Sequence, residues 1–323
     1  MLRPPRPFRS TVQLAAAVVL LLGCRDDLAH SRDILFVAQQ PGGTEDTYAL
    51  RLADLATRRL IKGDSATSRS QPAWSPDTRS IAFIREFDDH SQLYVLDSVG
   101  AVPRQVAAQL DGFLAWPDWS PDQRSILFTT ESPDHHATVY VIHADGSGLR
   151  SVLEDSNPLR CPSWAPDGHQ FAVSTYRAGR SSIVAVDVDS GATRTLLASD
   201  TTFLDCPQWS PQGEAITLTV YPGDTAIWKR DPLTAWRSDL AILDLKSGQT
   251  RLLVSGPGLN NYGHWSPDGR WIVFQSNRHA VPGVDSLPLG ARFRSLEIYI
   301  VRFDGSGLRR LTTNAYFDGH PSW

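Results

Sequence analysis

Histidine and cysteine are the residues of this sequence whose chemistry could support metal binding or nucleophilic catalysis. The chain has nine His and three Cys. It contains no His-Glu-x-x-His, no paired Cys-x-x-Cys and no Gly-x-Ser-x-Gly, the patterns that hold zinc or present a nucleophilic serine. A metal site would have to be assembled by the fold from His264, His320 or the run Asp134-His135-His136. Because these motifs are absent, we expect no catalytic residue, no metal and no cofactor.

The composition indicates a globular β protein that does not bind nucleic acid. The 323 residues include 31 Lys and Arg against 35 Asp and Glu, a formal net charge of −4. This charge gives no electrostatic footprint for DNA or RNA. With 41% hydrophobic residues the chain can build a core, and its 23 Gly and 22 Pro favour many short strands joined by turns.

The N-terminal segment is typical of an export signal. Residues 1–23 combine three early arginines with an apolar run over 14–22, which is shorter than the roughly 20 residues that cross a bilayer. The segment 21–24, Leu-Leu-Gly-Cys, resembles the bacterial lipobox. We expect 1–23 to be a lipoprotein signal peptide, Cys24 to be lipidated and membrane-anchored, and 24–32 to be a tether. The alternative is an ordinary signal peptide with an incidental cysteine.

A repeat of about 45 residues organises the remaining chain. The tryptophans of a Pro-x-Trp-Ser-Pro-Asp-Gly motif follow one another at intervals of 45, 45, 45, 56 and 58 residues. The copies are Pro72-Ala-Trp-Ser-Pro-Asp77, Pro117-Asp-Trp-Ser-Pro-Asp122, Pro162-Ser-Trp-Ala-Pro-Asp-Gly168, Pro207-Gln-Trp-Ser-Pro-Gln-Gly213, Gly263-His-Trp-Ser-Pro-Asp-Gly269 and the terminal His320-Pro-Ser-Trp323.

Each repeat predicts four short strands, which is the content of one propeller blade. The tryptophan would fill the wedge between blades, burying on the order of 150–250 Å². Ser-Pro-Asp-Gly would form a hairpin turn, so its aspartates are interpreted as structural.

The two ends of the chain predict a closed ring. Residues 33–63 contain three strand-like stretches with no preceding motif, and the C-terminus has the motif with no strands after it. Joining them makes one blade and removes exposed sheet edges. We expect an all-β, six-bladed β-propeller over 33–323.

The repeats resemble the TolB-like propeller family, whose units run Pro-x-Trp-Ser-Pro-Asp-Gly, two strands, then Asp-Gly-Ser-Gly or a similar turn. The resemblance covers residues 33–323 and implies an envelope role, because the propeller of that family docks a peptidoglycan-associated lipoprotein in the Tol-Pal system. The N-terminal α/β domain of that family is expected to be absent, since 24–32 is too short for it. The repeats also resemble propellers of dipeptidyl peptidase-type and tricorn-type proteases, but the serine motif of their hydrolase domains is not found.

Two insertions predict an elaborated face. They lie between the second and third strands of the fifth and sixth blades, at 221–238 and 276–294. Such loops and the links between blades share one face, here called the variable face. Their aromatic and cationic residues are typical of interfaces, although the apolar ones could merely pack the loops down. The candidate binding residues are Trp228, Arg230, Trp236, Arg237, Arg278, His279 and Arg292.

A ring of dissimilar residues is predicted at the channel mouth on the same face. These residues stand three positions before each motif tryptophan, and His264 lies nearby; the alternative is that they only fill the mouth. The ring consists of Gln71, Trp116, Cys161, Cys206, Tyr262 and His320.

Cys161 and Cys206 hold equivalent ring positions in adjacent blades, so an exported chain could join them. Their Cα atoms would have to approach within about 7 Å, closer than we expect of neighbouring inner strands at a channel. The sequence leaves their state open.

These observations favour a lipid-anchored, periplasm-facing or surface-exposed envelope module that binds a protein, or a glycan, without catalysis. The alternatives are a metal-dependent polysaccharide lyase or hydrolase, because lyases with similar repeats hold a metal at a His-rich channel mouth, and a small-molecule sensor. The partner, the membrane leaflet and the oligomeric state are left open.

Overall fold

Twenty-four strands in six antiparallel sheets make up the part of the chain that the structure describes. The structure is a computed structural model, and it describes residues 32–39, 44–63, 68–131, 136–223, 237–279, 296–313 and 317–323. No helix long and apolar enough to cross a membrane is found within these ranges.

Each sheet is one blade of four strands, ordered from the innermost strand outward along the chain, except that blade 1 takes its inner strand from the C-terminus. Blade 1 consists of β1 (Ile34–Gln39), β2 (Glu45–Leu50), β3 (Thr57–Ile61) and β24 (Asp318–Ser322); blade 2 of β4 (Ser68–Trp74), β5 (Ile81–Glu86), β6 (Ser91–Leu96) and β7 (Arg104–Val106); blade 3 of β8 (Phe113–Trp119), β9 (Ser125–Glu131), β10 (Ala137–His143) and β11 (Arg150–Asp155); blade 4 of β12 (Leu159–Trp164), β13 (Gln170–Arg177), β14 (Arg180–Asp187) and β15 (Thr193–Ser199); blade 5 of β16 (Thr202–Trp209), β17 (Ala215–Pro222), β18 (Asp239–Asp244) and β19 (Thr250–Val254); blade 6 of β20 (Asn260–Trp265), β21 (Trp271–Ser276), β22 (Glu297–Arg302) and β23 (Arg309–Arg310).

Consecutive blades contact one another, and blade 6 contacts β24 of blade 1. The ring is therefore closed. β24 pairs antiparallel with β1, setting Ser322 opposite Leu35 and Asp318 opposite Ala38. The predicted six-bladed propeller, closed by a blade from both chain ends, is confirmed.

The motif tryptophans join neighbouring blades. Trp119 is 6% exposed and packs with Ile84 of blade 2 and Ile126 of its own blade. Its indole N–H donates to the carbonyl oxygen of Ala73 in blade 2 at 3.1 Å. Trp265 makes the same bond to Gln208 of blade 5 at 3.1 Å. The indoles thus hold blades together by burial and by hydrogen bonds.

The turn after each tryptophan uses its polar side chains locally. In blade 2, Ser75 Oγ donates to Asp77 Oδ1 at 2.6 Å, and the amide of Arg79 donates to the same oxygen at 3.0 Å. These bonds lower the pKa of Asp77, the serine bond most. Thr78 and Gln123 adopt φ of 59° and 67° at the turn position that other blades give to glycine, so the turn is kept without it.

Candidate functional site

The inner strand of every blade carries a β-bulge at the same place. In blade 3 the pairing of β8 with β9 skips Trp116 and Pro117, which together oppose the single residue Phe128. Equivalent register shifts interrupt the other five inner strands. The second bulged residue is proline in five blades and Gly263 in blade 6. Proline fits a bulge because it has no N–H to donate to the ladder.

The first bulged residue of each blade is the ring residue identified in the sequence. All six have a left-handed backbone, with φ between 47° and 58°, a conformation that non-glycine residues adopt at a cost of about 1–3 kcal/mol where it is strained. All six line one cavity in the channel. They are Gln71, Trp116, Cys161, Cys206, Tyr262 and His320.

Three aromatic ring residues close the channel. The centroids of Trp116 and Tyr262 are 5.4 Å apart, and His320 meets them edge-on at 6.5 and 5.5 Å respectively. Trp116 belongs to blade 3 and Tyr262 to blade 6, which are opposite in a ring of six. Their contact therefore spans the channel axis. We call Trp116, Tyr262 and His320 the aromatic plug.

The cavity at the plug is small. Its volume is about 50 Å³, enough for a few water molecules but far below the roughly 300 Å³ at which ligand pockets begin. A second set of residues, two positions further along the inner strands, completes its wall: Ala73, Asp118, Gln208 and His264.

Burial shifts the pKa of the titratable groups in the cavity toward their uncharged forms. Burial lowers the pKa of His264 to about 4, with His320 adding to the effect. Burial also lowers the pKa of His320 to about 4, against the attraction of Glu86. Burial raises the pKa of Asp118 to about 7, although the amide of Trp164 donates to Asp118 Oδ2 at 2.7 Å. Both imidazoles are therefore uncharged at neutral pH, and Asp118 is partly protonated.

Cys161 and Cys206 form a disulfide between blades 4 and 5. Their Cα atoms are 4.7 Å apart, so the expectation that neighbouring inner strands stay too far apart was wrong. The reason is the bulge, which turns both residues toward the channel where the strands converge. The bonded pair packs beside Trp116 and Tyr262 and forms part of the cavity wall.

The arrangement offers little to a metal ion. Within the described ranges, a group of three His, Cys, Asp or Glu ligand atoms within 4.8 Å of one another occurs once, at Cys161, Asp205 and Cys206. Its two sulfur atoms are joined in the disulfide, and thiolates are the form of cysteine that binds metals. His264 and His320 belong to no such group in this part of the chain.

The insertions of the variable face are described only at their bases. Arg237 lies 2.9 Å from the buried carboxylate of Asp239. Arg278 donates to the carbonyl oxygen of Ser255 at 2.7 Å. These contacts hold the loop bases against the propeller. Four predicted residues of the insertions, the proposed lipidation site and two residues of the His-rich run lie outside the described residues: Trp228, Arg230, Trp236, Arg292, Cys24, Asp134 and His135.

His279 is also tied to the propeller. Its Nδ1 is 2.9 Å from the hydroxyl of Tyr299, and the two rings stack at 6.0 Å. Burial, with a contribution from the cation of Arg310, lowers the pKa of His279 to about 4. His279 is thus a neutral ring at neutral pH.

An ion pair beside the plug was not identified from the sequence. Arg160 Nε lies 3.3 Å from both carboxylate oxygens of Asp205, and Ser174 Oγ donates to Asp205 Oδ1 at 2.9 Å. The Arg160 guanidinium lies 5.4 Å from the ring of Trp116. Arg160 and Asp205 each stand four residues before a motif tryptophan. Opposite charges at equivalent positions of adjacent repeats were the available signal.

The chain matches the family model described as "TolB beta propeller domain", over residues 27–232 and 136–291. An 83-residue segment is 36% identical to an uncharacterized protein of Agrobacterium fabrum, which is 26% of this chain and 24% of that protein. The chain thus matches about a quarter of the length of that relative.

Solved structures share the fold. TolB from Acinetobacter baumannii superposes with a TM-score of 0.73 at 20% identity, covering 91% of this chain and 67% of that one. A putative TolB from Agrobacterium tumefaciens gives 0.64 at 18% identity, covering 89% and 90%. An oligogalacturonate lyase in complex with manganese gives 0.55 at 15% identity, covering 88% and 74%. At these identities the likeness concerns the fold alone.

Proposed function

The chain belongs to the TolB beta propeller domain family, and we propose that it is a binding module of the bacterial cell envelope. In this proposal a protein partner sits on the variable face, over the closed mouth of the channel, and undergoes no reaction there. The observation that carries the proposal is the aromatic plug. Because it blocks the channel, a partner would contact the surface of the plug and not enter the channel.

The small cavity beside the plug favours binding over catalysis. A space of about 50 Å³ has no room for a sugar unit or a peptide side chain to be enclosed beside Asp118 or His264. What the mouth offers a partner is its aromatic and charged rim, with Trp116 beneath the guanidinium of Arg160. Aromatic residues and arginine are the types enriched where binding energy concentrates at protein interfaces.

Attachment to a membrane is the second part of the proposal. The Leu-Leu-Gly-Cys segment supports lipidation of Cys24, and acyl chains contribute about 0.8 kcal/mol per buried methylene. Residues 24–32 would then connect the propeller to the leaflet. Metabolic labelling with an alkyne fatty acid tests this: the full-length protein is expected to be labelled and Cys24→Ser is not. Equal labelling of both would contradict the anchor.

The alternative function is a metal-dependent enzyme acting on an acidic polysaccharide. It draws on the neutral imidazoles of His264 and His320 and on the fold shared with an oligogalacturonate lyase. Manganese titration followed by electron paramagnetic resonance separates the two functions. We expect free-ion spectra throughout; stoichiometric binding that is lost in His264→Gln would favour the enzyme.

Partner capture tests the proposed function itself. The full-length protein and a variant with 224–236 and 280–295 each replaced by a short Gly-Ser linker are crosslinked in intact envelopes and purified. The matched control replaces 132–135, which connect the second and third strands of blade 3 without an insertion, in the same way. We expect the double replacement to lose the main crosslinked protein and the control to keep it. An unchanged set of crosslinked proteins in all three would overturn the proposal.

A further inference from the structure

We propose that the partner on the variable face presents a carboxylate to the channel mouth, and that Arg160 binds it. This inference rests on the proposed function and adds the chemical group that the site recognises.

Arg160 is held in place by one edge of its guanidinium. Its Nε faces both oxygens of Asp205 at 3.3 Å. Asp205 is itself fixed, since its side chain is 1% exposed and it accepts a hydrogen bond from Ser174. The Nε edge is therefore used for orientation, which is the arrangement of a positioned binding group.

The other edge of the guanidinium is open. Within the described residues, neither terminal amino group of Arg160 has a hydrogen-bond acceptor, and the side chain is 23% exposed. Burial is the largest single effect on Arg160 and opposes its charge, but Asp205, Tyr262 and Tyr221 together keep the pKa of Arg160 above its ordinary value. The open edge thus carries fixed donors and a permanent charge, which match the two oxygens of a carboxylate.

Trp116 supports the guanidinium from one side. The guanidinium carbon lies 5.4 Å from the indole ring, within the range of a cation–π contact. Because Trp116 is also part of the plug, the position of Arg160 is coupled to the closed channel. A partner that reaches Arg160 therefore sits directly on the plug.

Buried amide side chains lie in strands next to this site. Asn261 and Gln275 are cross-strand neighbours in blade 6 and are both fully buried. Gln275 Nε2 has no hydrogen-bond partner in the described part of the chain, whereas the Asn261 side chain interacts with Tyr221. Tyr221 lies near both Arg160 and Asn261. Because these amides are enclosed by the protein, the group that a partner's carboxylate can reach is the open edge of Arg160.

The charge balance favours a carboxylate over a phosphate. Asp205 already offsets the single positive charge of Arg160, so a dianion would meet net repulsion, whereas a singly charged planar group would not be strongly opposed. For the same reason we expect millimolar affinity for an isolated carboxylate, with the remaining affinity of the partner coming from the rest of its surface.

The test adds defined probes to the full-length protein. Their binding is monitored by the NMR chemical-shift changes of the Arg160 Nε–Hε and Trp116 indole signals. The probes are N-acetylglutamate α-amide, its glutamine isostere, N-acetylglycylglycine and galacturonic acid. We expect the first and third to saturate at millimolar concentration and the glutamine isostere to bind at least tenfold more weakly. The stronger of the two carboxylates identifies an acidic side chain or a chain terminus as the recognised group.

Variants assign the effect to Arg160. Arg160→Lys is expected to weaken carboxylate binding by about tenfold, because a point charge replaces the fork. Arg160→Met would leave Asp205 buried and unpaired, so it is combined with Asp205→Asn to keep the fold. Arg180→Met removes an exposed arginine of the same face whose ion-pair partner, Asp200, is itself exposed, and it is expected to leave binding unchanged.

Two outcomes would overturn the proposal. One is equal binding of the glutamine isostere, or undiminished carboxylate binding when Arg160→Met is combined with Asp205→Asn. The other is binding of galacturonic acid at least tenfold tighter than either peptide probe, which would assign the mouth to a glycan. Partner capture distinguishes the failure of this inference from the failure of the proposed function. A captured protein without carboxylate binding would contradict this inference alone. Carboxylate binding without a captured protein would contradict the proposed function.

Discussion

The tryptophan hydrogen bonds between blades give a prediction with an internal control. The indole N–H of Trp119 donates to Ala73 of the preceding blade at 3.1 Å, whereas the indole N–H of Trp164 is buried without a partner among the described residues. The two side chains are similarly buried, at 6% and 8% exposed. Replacement of either by phenylalanine removes the same volume, so the main difference between the two substitutions is the hydrogen bond.

The expected difference in the free energy of unfolding follows from whether the indole N–H is hydrogen-bonded or unpartnered. Trp119→Phe loses a hydrogen bond with a net value of about 0.5–1.5 kcal/mol. Trp164→Phe instead removes an unsatisfied buried donor, which costs about 1–3 kcal/mol while it is present. Trp119→Phe is therefore expected to lower the free energy of unfolding by about 1.5–4.5 kcal/mol more than Trp164→Phe does.

Urea unfolding followed by far-UV circular dichroism measures this difference, compared at a common m-value. Trp265→Phe serves as a replicate, because its indole bonds to Gln208 at 3.1 Å, and it should behave like Trp119→Phe. Equal losses for Trp119→Phe and Trp164→Phe, or a larger loss for Trp164→Phe, would refute the role given to the inter-blade bond.

Two further predictions concern the channel. His264 and His320 have a pKa of about 4 in the fold against about 6.5 when unfolded, so the unfolded state binds more protons and their contribution to stability is lost as pH falls from 6.5 to 4. Asp118 has a pKa raised to about 7, so it acts in the opposite direction and stabilises the fold as pH falls from 7 to 4. Asp118→Asn should therefore make the free energy of unfolding fall more steeply between pH 7 and 4 in urea titrations. An unchanged slope would contradict this assignment. The Cys161–Cys206 disulfide spans 45 residues, so replacing both cysteines by alanine should lower the free energy of unfolding by up to about 4 kcal/mol. Reduced wild-type protein should show the same loss. An unchanged free energy of unfolding in both samples would contradict a stabilising crosslink.

The blades were predictable from the sequence because one large side chain marks each of them. An indole at a fixed interval has to be buried, and a repeat of four strands between neighbouring blades buries it. The closing strand was predictable for the same reason, since Trp323 ends a motif with no strands after it. Its partner, β1, is the strand that lacked a motif.

The positions of the ring residues followed from symmetry, but the plug did not. The contact of Trp116 with Tyr262 joins opposite blades and depends on a bulge that turns each side chain inward. A bulge is a property of strand pairing, and its proline is also compatible with an ordinary edge position. The same omission made the expectation about Cys161 and Cys206 wrong, because it used the spacing of regular strands.

The ion pair of Arg160 and Asp205 shows what repeat alignment can add. Both residues occupy the position four before the motif tryptophan, in adjacent blades. Aligning the repeats column by column would have paired them, as it paired the cysteines. The open edge of Arg160 could not be found in this way, because it depends on which donors the fold leaves without acceptors.

Site-specific photocrosslinking in intact envelopes determines whether a partner protein binds the variable face. A photoreactive residue replaces Arg177 on the variable face, where its side chain is 61% exposed, or Arg79 in a turn of the opposite face, where it is 84% exposed. We expect a discrete crosslinked protein from position 177 and none from position 79. A crosslink from position 79 alone, or the same products from both positions, would contradict this expectation.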